Sequence, residues 1–363
     1  MKFLEQIQKH TPVEWKRLGE VASLKQGDKT IPAKNKTEGD IPVISSGQKP
    51  VYYIAKYNRE GETITIARSG TAGYVSYWNE PIFVSDAFSV KPDLSILSVR
   101  YVFHFFLKHQ NWIYNLKRGA VVPHVYPKDL ANFLIPIPPL EIQREIVRIL
   151  DTFTRLTAEL TAELTARKKQ YAYYRDQLLT FKEGEVKWKR LGEVANLKRG
   201  KTIPAKNKTE GAIPVIGGGQ KPAYYTAKYN REGEIITIAG NGAYAGYVSY
   251  WNEPIFVSNA FSVKPDLSIL SVRYVFHFFL KHQNWIYKLK RGAVVPHVYP
   301  KDLANFLIPI PPLEIQREIV RILDTFTRLI AELTTELTAR KKQYAYYRVQ
   351  LLDFPGGKKE MNK

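Results

Sequence analysis

The chain is written twice. Val13 to Val21 returns as Val186 to Val194 with one exchange, Glu14 against Lys187, and Tyr171-Ala172-Tyr173-Tyr174-Arg175 returns as Tyr344-Ala345-Tyr346-Tyr347-Arg348. The offset is 173 positions at both ends, because one residue lost near Asp28 is offset by one gained at Tyr244. A period this long belongs to a duplicated domain rather than a stacked solenoid. The 363 residues have room for two cores, and a hydrophobic content of 44% favours folded over disordered chain.

Each copy has two parts, the first ending near Ile137 or Ile310. The β-branched and aromatic runs Ile41–Ile44, Thr63–Ala67 and Tyr74–Trp78 are broken by Gly, Asn and Pro, as short strands and turns are. Ser98 is a fair N-cap for a helix to Asn115, with Val99, Val102, Phe103, Phe106, Leu107 and Ile113 near helical spacing. The second part is a long helix opened by Pro138-Pro139. Its apolar stripe runs through Leu140, Ile142, Ile146, Ile149, Phe153, Leu156, Leu160, Leu164, Tyr171, Tyr174 and Leu178. In the second copy the stripe includes Ile319, Ile322, Phe326, Leu333 and Leu337. Steps of three and four with Glu, Arg and Lys between them are coiled-coil spacing. About 40 residues at a rise near 1.5 Å make a rod of roughly 60 Å, too long to bury its stripe alone.

These patterns predict an α+β chain. Two near-identical mixed globular domains occupy 1–137 and 183–310, and long helices occupy 138–182 and 311–363, the latter with a C-terminal tail. The two helices are expected to pair as an antiparallel coiled coil with pseudo-twofold symmetry.

The formal net charge is +20 and the pI 9.7. A balance this basic suits a polyanion, because Lys and Arg on phosphates release counterions. No segment reads as a signal peptide, a basic membrane-surface helix or a span of roughly 18 apolar residues. Cysteine is absent, which excludes disulfides and thiolate metal sites and agrees with the expected cytoplasmic location.

The copies differ chiefly in polar turns. Ser45-Ser46-Gly47-Gln48 is matched by Gly217-Gly218-Gly219-Gln220, Arg68-Ser69-Gly70-Thr71 by Gly240-Asn241-Gly242-Ala243-Tyr244, Asp86 by Asn259, and Gln26-Gly27-Asp28-Lys29 by Arg199-Gly200-Lys201. Loops drift by default, yet the types exchanged are those that read base edges: Arg for guanine, Asn for adenine, Asp for the cytosine amino group, Ser for either role. Ser45, Ser46, Gln48, Arg68, Ser69 and Asp86 are therefore candidate DNA contacts of the first copy. Gly217, Gly218, Gln220, Gly240, Asn241, Tyr244 and Asn259 are their counterparts. Lys25, Lys29, Lys198, Arg199 and Lys201 are candidate phosphate contacts. A bidentate base contact is worth about 1–3 kcal/mol of discrimination, so a few such exchanges give related but unequal half-sites. A twofold relation would set them in inverted orientation, making the expected target bipartite and nearly palindromic.

Catalytic signals are weak. His104 and His109 are five apart, wrong for ligation from one helix face, and no carboxylate cage for a metal is apparent. A Ser85–His124–Asp86 triad would be broken in the second copy by Asn259. Gly240-Asn241-Gly242 lacks the Lys-Ser or Lys-Thr of a phosphate loop, and no dinucleotide fingerprint is present. Pro123-His124-Val125-Tyr126-Pro127 and Pro296-His297-Val298-Tyr299-Pro300 read as rigid turns, with His124 a candidate for a phosphate contact or a purely structural role. Tyr171 and Tyr174 fit packing along the rod, and Lys168-Lys169 and Lys341-Lys342 a solvated face.

The chain resembles the specificity subunits of Type I restriction–modification enzymes. The residues carrying the likeness are Val13 to Val21, Ile41 to Gly47, Val122 to Leu130, and Ile135-Pro136-Ile137-Pro138-Pro139-Leu140-Glu141-Ile142-Gln143 with the following Arg144 to Val147. Each recurs with few changes in the second copy, ending in Pro311-Pro312-Leu313-Glu314-Ile315-Gln316. The resemblance implies two target-recognition domains on double-stranded DNA, joined by an antiparallel coiled coil that spaces the half-sites. It also implies two docked modification subunits carrying S-adenosylmethionine and adenine methylation, with restriction subunits as further partners. The chain itself is then not an enzyme. Family members generally carry dissimilar recognition domains, and the near-identity here argues for a target less asymmetric than usual. Three rivals are weighed beside this: an independent DNA-binding regulator with the same symmetry, a self-contained nuclease or methyltransferase, and a protein-binding scaffold.

Overall fold

The computed structural model describes residues 13–28, 38–203 and 210–356. Two compact units divide the chain, one built from Met1–Thr161 with Glu336–Lys363 and the other from Ala162–Thr335. Each unit therefore takes the first part of one long helix or the last part of it, together with the complementary part of the other.

In the first unit, strands β1 (Glu14–Arg17) and β2 (Ala22–Gln26) flank a short helix α1 (Leu18–Val21). Strands β3 (Ile41–Ile44), β4 (Tyr53–Ile54), β5 (Thr63–Ala67), β6 (Val75–Trp78), β7 (Phe83–Val84) and β8 (Ala87–Pro92) follow. Then come helices α2 (Val99–Lys108), α3 (Gln110–Asn115) and α4 (Pro127–Leu130), strand β9 (Leu134–Ile137) and the long helix α5 (Leu140–Leu178). A four-stranded antiparallel sheet has the order β2-β8-β5-β6. A three-stranded sheet β4-β3-β7 pairs β3 with β7 in parallel, and β1 pairs antiparallel with β9. The second unit repeats the plan with β10 (Lys187–Arg190), α6 (Leu191–Val194), β11 (Ala195–Arg199), β12 (Ile213–Ile216), β13 (Tyr224–Thr226), β14 (Glu234–Ala239), β15 (Val248–Asn252), β16 (Phe256–Val257) and β17 (Ala260–Pro265). It continues with α7 (Val272–Lys281), α8 (Gln283–Lys288), α9 (Pro300–Leu303), β18 (Leu307–Ile310) and α10 (Leu313–Leu351).

The helix expected over Ser98–Asn115 is two helices broken at His109. Ser98 does cap it, its hydroxyl oxygen accepting from the Tyr101 amide. The break follows from what Gln110 does: its side chain accepts from the Val75 amide at 3.3 Å and donates to the Gly73 carbonyl at 2.7 Å. That anchor to the turn before β6 sits at the first residue after the break, a contact invisible in helical periodicity.

The start of α5 explains why its motif is written as it is. Gln143 is fully buried, donating to the carbonyls of Ile96 (2.7 Å) and Pro138 (2.8 Å) and accepting from the Ser98 amide (2.9 Å). Gln316 repeats all three bonds with Ile269, Pro311 and Ser271. One side chain thus satisfies three backbone groups that would otherwise be orphaned where the helix meets the globular part.

A second joint holds the helices to each core. His104 is fully buried; its Nε2–H donates to Asp151 Oδ1 at 2.7 Å, and its Nδ1 accepts from the Tyr344 hydroxyl at 3.2 Å. Arg100 grips the same carboxylate with two nitrogens and lies over the Tyr77 ring. The second unit has the same network in His277, Asp324, Tyr171 and Arg273. Burial outweighs the Asp151 carboxylate and holds His104 below the usual histidine range, so the imidazole is neutral. Burial also pushes the Asp151 carboxyl up, but the bonds from His104 and Arg100 win and hold it below its ordinary value.

The stripe residues Ile146, Leu164, Ile319 and Leu337 are buried, and Ile149, Phe153, Leu156, Leu160, Ile322, Phe326 and Leu333 half-buried. Within the first unit Phe153 stacks on Tyr347 at 5.3 Å, and within the second Tyr174 stacks on Phe326 at the same distance. The best-buried helix positions also include Leu150 and Leu323, just off the stripe, because this part of each helix packs on the globular core as well.

Candidate nucleic-acid interface

Four polar segments of the first unit converge on one cleft of about 390 Å³. The end of β2 supplies Gln26 and Asp28, the turn after β3 supplies Ser45, the turn after β5 supplies Arg68, and the turn before β8 supplies Ser85 and Asp86. Arg68 and Asp86 form an ion pair, Nε to Oδ1 at 3.2 Å, too bent to be a hydrogen bond. The Ser69 hydroxyl donates to the other Asp86 oxygen. Thr71 donates its amide and its hydroxyl to the Ser46 carbonyl, at 3.0 and 2.6 Å. Asn58 ties the lining residue Asp28 to β7, donating to Asp28 Oδ2 and the Val84 carbonyl and accepting from the Val84 amide.

The matching cleft of the second unit is smaller, about 180 Å³, and has different chemistry. It is lined by Arg199, Gly240, Asn241, Asn259 and, from the rigid turn, His297 to Pro300. Two acids and one Arg line the first cleft; Arg199 and two Asn line the second. Arg199 lies over the Tyr299 ring at 5.4 Å. The exchange of Asp86 for Asn259 therefore changes the surroundings of the side chain as well as its donor capacity. Asp86 is half-buried and tied to Arg68 and Ser69, whereas Asn259 is exposed, because Gly240 brings no guanidinium to it.

The turn exchanges are coupled. A Cβ placed on Gly218 would come within 2.4 Å of the Asn241 carbonyl oxygen and 2.6 Å of its Oδ1. The first copy carries Ser at both matching positions, Ser46 and Ser69. Likewise Thr71, which binds Ser46, has become Ala243, and Gly242 instead donates its amide to the Pro296 carbonyl at 3.0 Å. The exchanged positions are in contact with one another, so the turns of the two units differ as linked sets.

The remaining candidates lie around these clefts. Lys25 and Lys198 are exposed on β2 and β11, Lys201 is exposed beside Gly200, and Gln48 and Gln220 are exposed at turn tips. Gly217 is buried, and Tyr244 stands exposed at the inserted position. Lys29 lies outside the described residues. His124 has Nδ1 on the Val122 carbonyl at 2.7 Å while Asp86 is bonded to Ser69 and Arg68, so the imagined triad is not assembled. Among the described residues no group of three or more metal-ligating side chains is gathered, and no helix is long and apolar enough to cross a membrane.

Sequence reasoning passed over the residues behind the clefts. Arg59 donates to the Gln26 carbonyl at 3.0 Å and to Ser89 Oγ at 2.7 Å, and Arg231 does the same to Arg199 and Ser262. These guanidiniums hold the strand ends that carry the basic residues; burial pulls both below the usual arginine value. Their only sequence signal is Asn-Arg in both copies, indistinguishable there from a surface turn.

Comparison with known proteins gives one consistent result. The family described as "Type I restriction modification DNA specificity domain" matches residues 12–167 and again 183–340. The chain is similar to the Type I restriction enzyme EcoR124I/EcoR124II specificity subunit of Escherichia coli, 33% identical, with 98% of each chain covered. The fold is similar to that of the Type I restriction-modification S subunit from M. genitalium, with a TM-score of 0.79, 20% identity, and 95% of this chain and 97% of that one covered. A chain from a structure on complex assembly and conformational transition of the Type I R-M system matches with a TM-score of 0.53 at 20% identity, covering 95% and 99%.

Proposed function

The chain belongs to the family of Type I restriction–modification DNA specificity subunits, with two recognition domains, and on that premise we propose how its residues read a target. Each cleft, with the turns around it, meets base edges of one half-site. The observation that carries this reading is the linked exchange of residues in the turns, between units whose buried cores differ at few positions, among them Ile54 against Thr226 and Thr63 against Ile235. In the first unit Asp86, Asp28 and Ser45 offer acceptors, suited to the amino groups of cytosine or adenine; Arg68 serves mainly to fix Asp86. In the second, Arg199, Asn241 and Asn259 offer donors, suited to guanine and adenine. Lys25, Lys29, Lys198 and Lys201 hold phosphates and position the protein without reading sequence.

The target is then bipartite and nearly palindromic, with an unread spacer. Two modification subunits dock on the chain, and restriction subunits join that assembly. S-adenosylmethionine and adenine-N6 transfer belong to the modification subunit; this chain selects where they act. That division is supported by the absence of cofactor-binding motifs from the sequence and by the relative's name, a specificity subunit of a restriction enzyme. The complex works in the cytoplasm.

The test is selection from a randomised duplex pool by the chain assembled with its modification subunit. Enrichment of two related, inverted half-sites at fixed separation is the expected result. Enrichment of a single undivided motif, or none, overturns the reading.

A further inference from the structure

Both units carry an apolar tip that the recognition clefts do not account for. Val121 and Val294 are each 93% exposed, and the neighbouring Val122 and Val295 about half exposed, at 51% and 48%. Exposed valines on a loose loop would mean little, but this loop is rigid. Arg118 and His124 exchange both backbone hydrogen bonds at 2.8 Å, and His124 Nδ1–H donates to the Val122 carbonyl at 2.7 Å. Gly119 adopts φ +111°, and a Cβ there would meet the Val122 carbonyl oxygen at 3.0 Å. The second unit repeats the bonds in Arg291, His297 and Val295. A five-residue hairpin tip is therefore locked with its valines outward, where an unoccupied apolar surface has no stabilising role.

The tip is continuous with the cleft. The Val125 amide donates to the Arg68 carbonyl at 3.0 Å, and Val298 to Gly240 at 3.0 Å. In the second unit His297 and Val298 line the cleft itself. Lys117 and Lys128 stand on either side in sequence, their ammonium groups near the Tyr114 and Tyr126 rings. The tip is the same in both copies, Gly-Ala-Val-Val-Pro, although the cleft residues beside it differ.

Resting on the recognition reading above, we propose that Val121-Val122 and Val294-Val295 enter a groove of duplex DNA and pack on sugar and base surface, the same way at both half-sites. The occupant is DNA rather than a protein partner because the tip shares backbone bonds with the recognition turns and has basic residues on both flanks. Apolar side chains wedge against base steps in this manner. Identical tips beside unequal clefts imply a contact that adds affinity and register without selecting sequence.

The full chain has no cysteine, so Val121→Cys and Val294→Cys each introduce a single thiol. Added mixed-sequence duplex should slow alkylation of both thiols. In parallel, V121S/V122S/V294S/V295S should bind target and mixed-sequence duplex about tenfold more weakly. The salt dependence should keep its slope, because no phosphate contact is removed. Unprotected thiols, or unchanged affinity of the Ser variant while the unaltered chain binds duplex, would overturn the proposal. So would loss of modification-subunit binding with DNA affinity intact, which would give the tip to a protein. Failure of the unaltered chain, assembled with its modification subunit, to bind duplex would instead sink the recognition reading, and this one with it.

Discussion

Arg68 and Asp86 make the most exposed claim at the level of single residues. Arg68→Ala removes the cation that Asp86 pairs with among the described residues and should relax base preference in one half-site while leaving the other unchanged, as read by pool selection. A shift in both half-sites would mean the residue acts on the fold. Gly218→Ser places a side chain 2.4 Å from the Asn241 carbonyl. It should cost the second unit about 1–3 kcal/mol and its half-site binding, seen in thermal unfolding and duplex affinity. The histidines predict a pH effect. Burial holds His104, His277 and His282 below their ordinary value and His109 down at about 4. The unfolded chain then takes up protons first, so stability present above pH ~6.5 is lost as pH falls from there toward 4. A melting temperature that is flat between neutral pH and mild acid would contradict this. The sequence offered the polar turns because two copies could be laid side by side. It could not offer the contact between Gly218 and Asn241, or the support from Arg59 and Asn58, since these join residues distant along the chain. Val121 was passed over for a different reason: an apolar residue read from sequence is assumed to be core.

The helices and strands were legible where periodicity is set locally. The stripe through Ile146 and Phe153, the Ser98 cap and the β-branched run Thr63–Ala67 all follow from side-chain spacing and capping chemistry. The break at His109 and the full burial of Leu150 were not, because tertiary contacts decide both. The buried glutamine at the start of each long helix, like the polar turns, joins segments distant along the chain. Gln143→Leu leaves the Ile96 and Pro138 carbonyls and the Ser98 amide without their partner, and should destabilise the first unit by about 2–4 kcal/mol in chemical denaturation. A cost under ~1 kcal/mol would show that water replaces the side chain there.

For the whole molecule, duplication is the fact from which the rest follows, and it was readable at once as an offset in the sequence. What the offset could not tell is that each compact unit recruits part of both long helices, as Met1–Thr161 does with Glu336–Lys363. Domain limits drawn along the chain follow local composition, whereas helix packing joins segments far apart in it. The duplication also makes a prediction. Replacing Arg199 to Lys201, Gly217 to Gln220, Gly240 to Tyr244 and Asn259 together by their first-unit counterparts should make the two half-sites identical. Exchanging them singly should mostly abolish binding, because the turns are coupled. Whether this chain directs a modification enzyme to a bipartite site is read by mapping methylated adenine across the genome. Cells expressing the chain with its modification subunit are compared with cells that lack only this chain. A bipartite, nearly palindromic motif methylated solely when the chain is present is the predicted result. Unchanged methylation, with the modification subunit shown to be folded and bound, would contradict it.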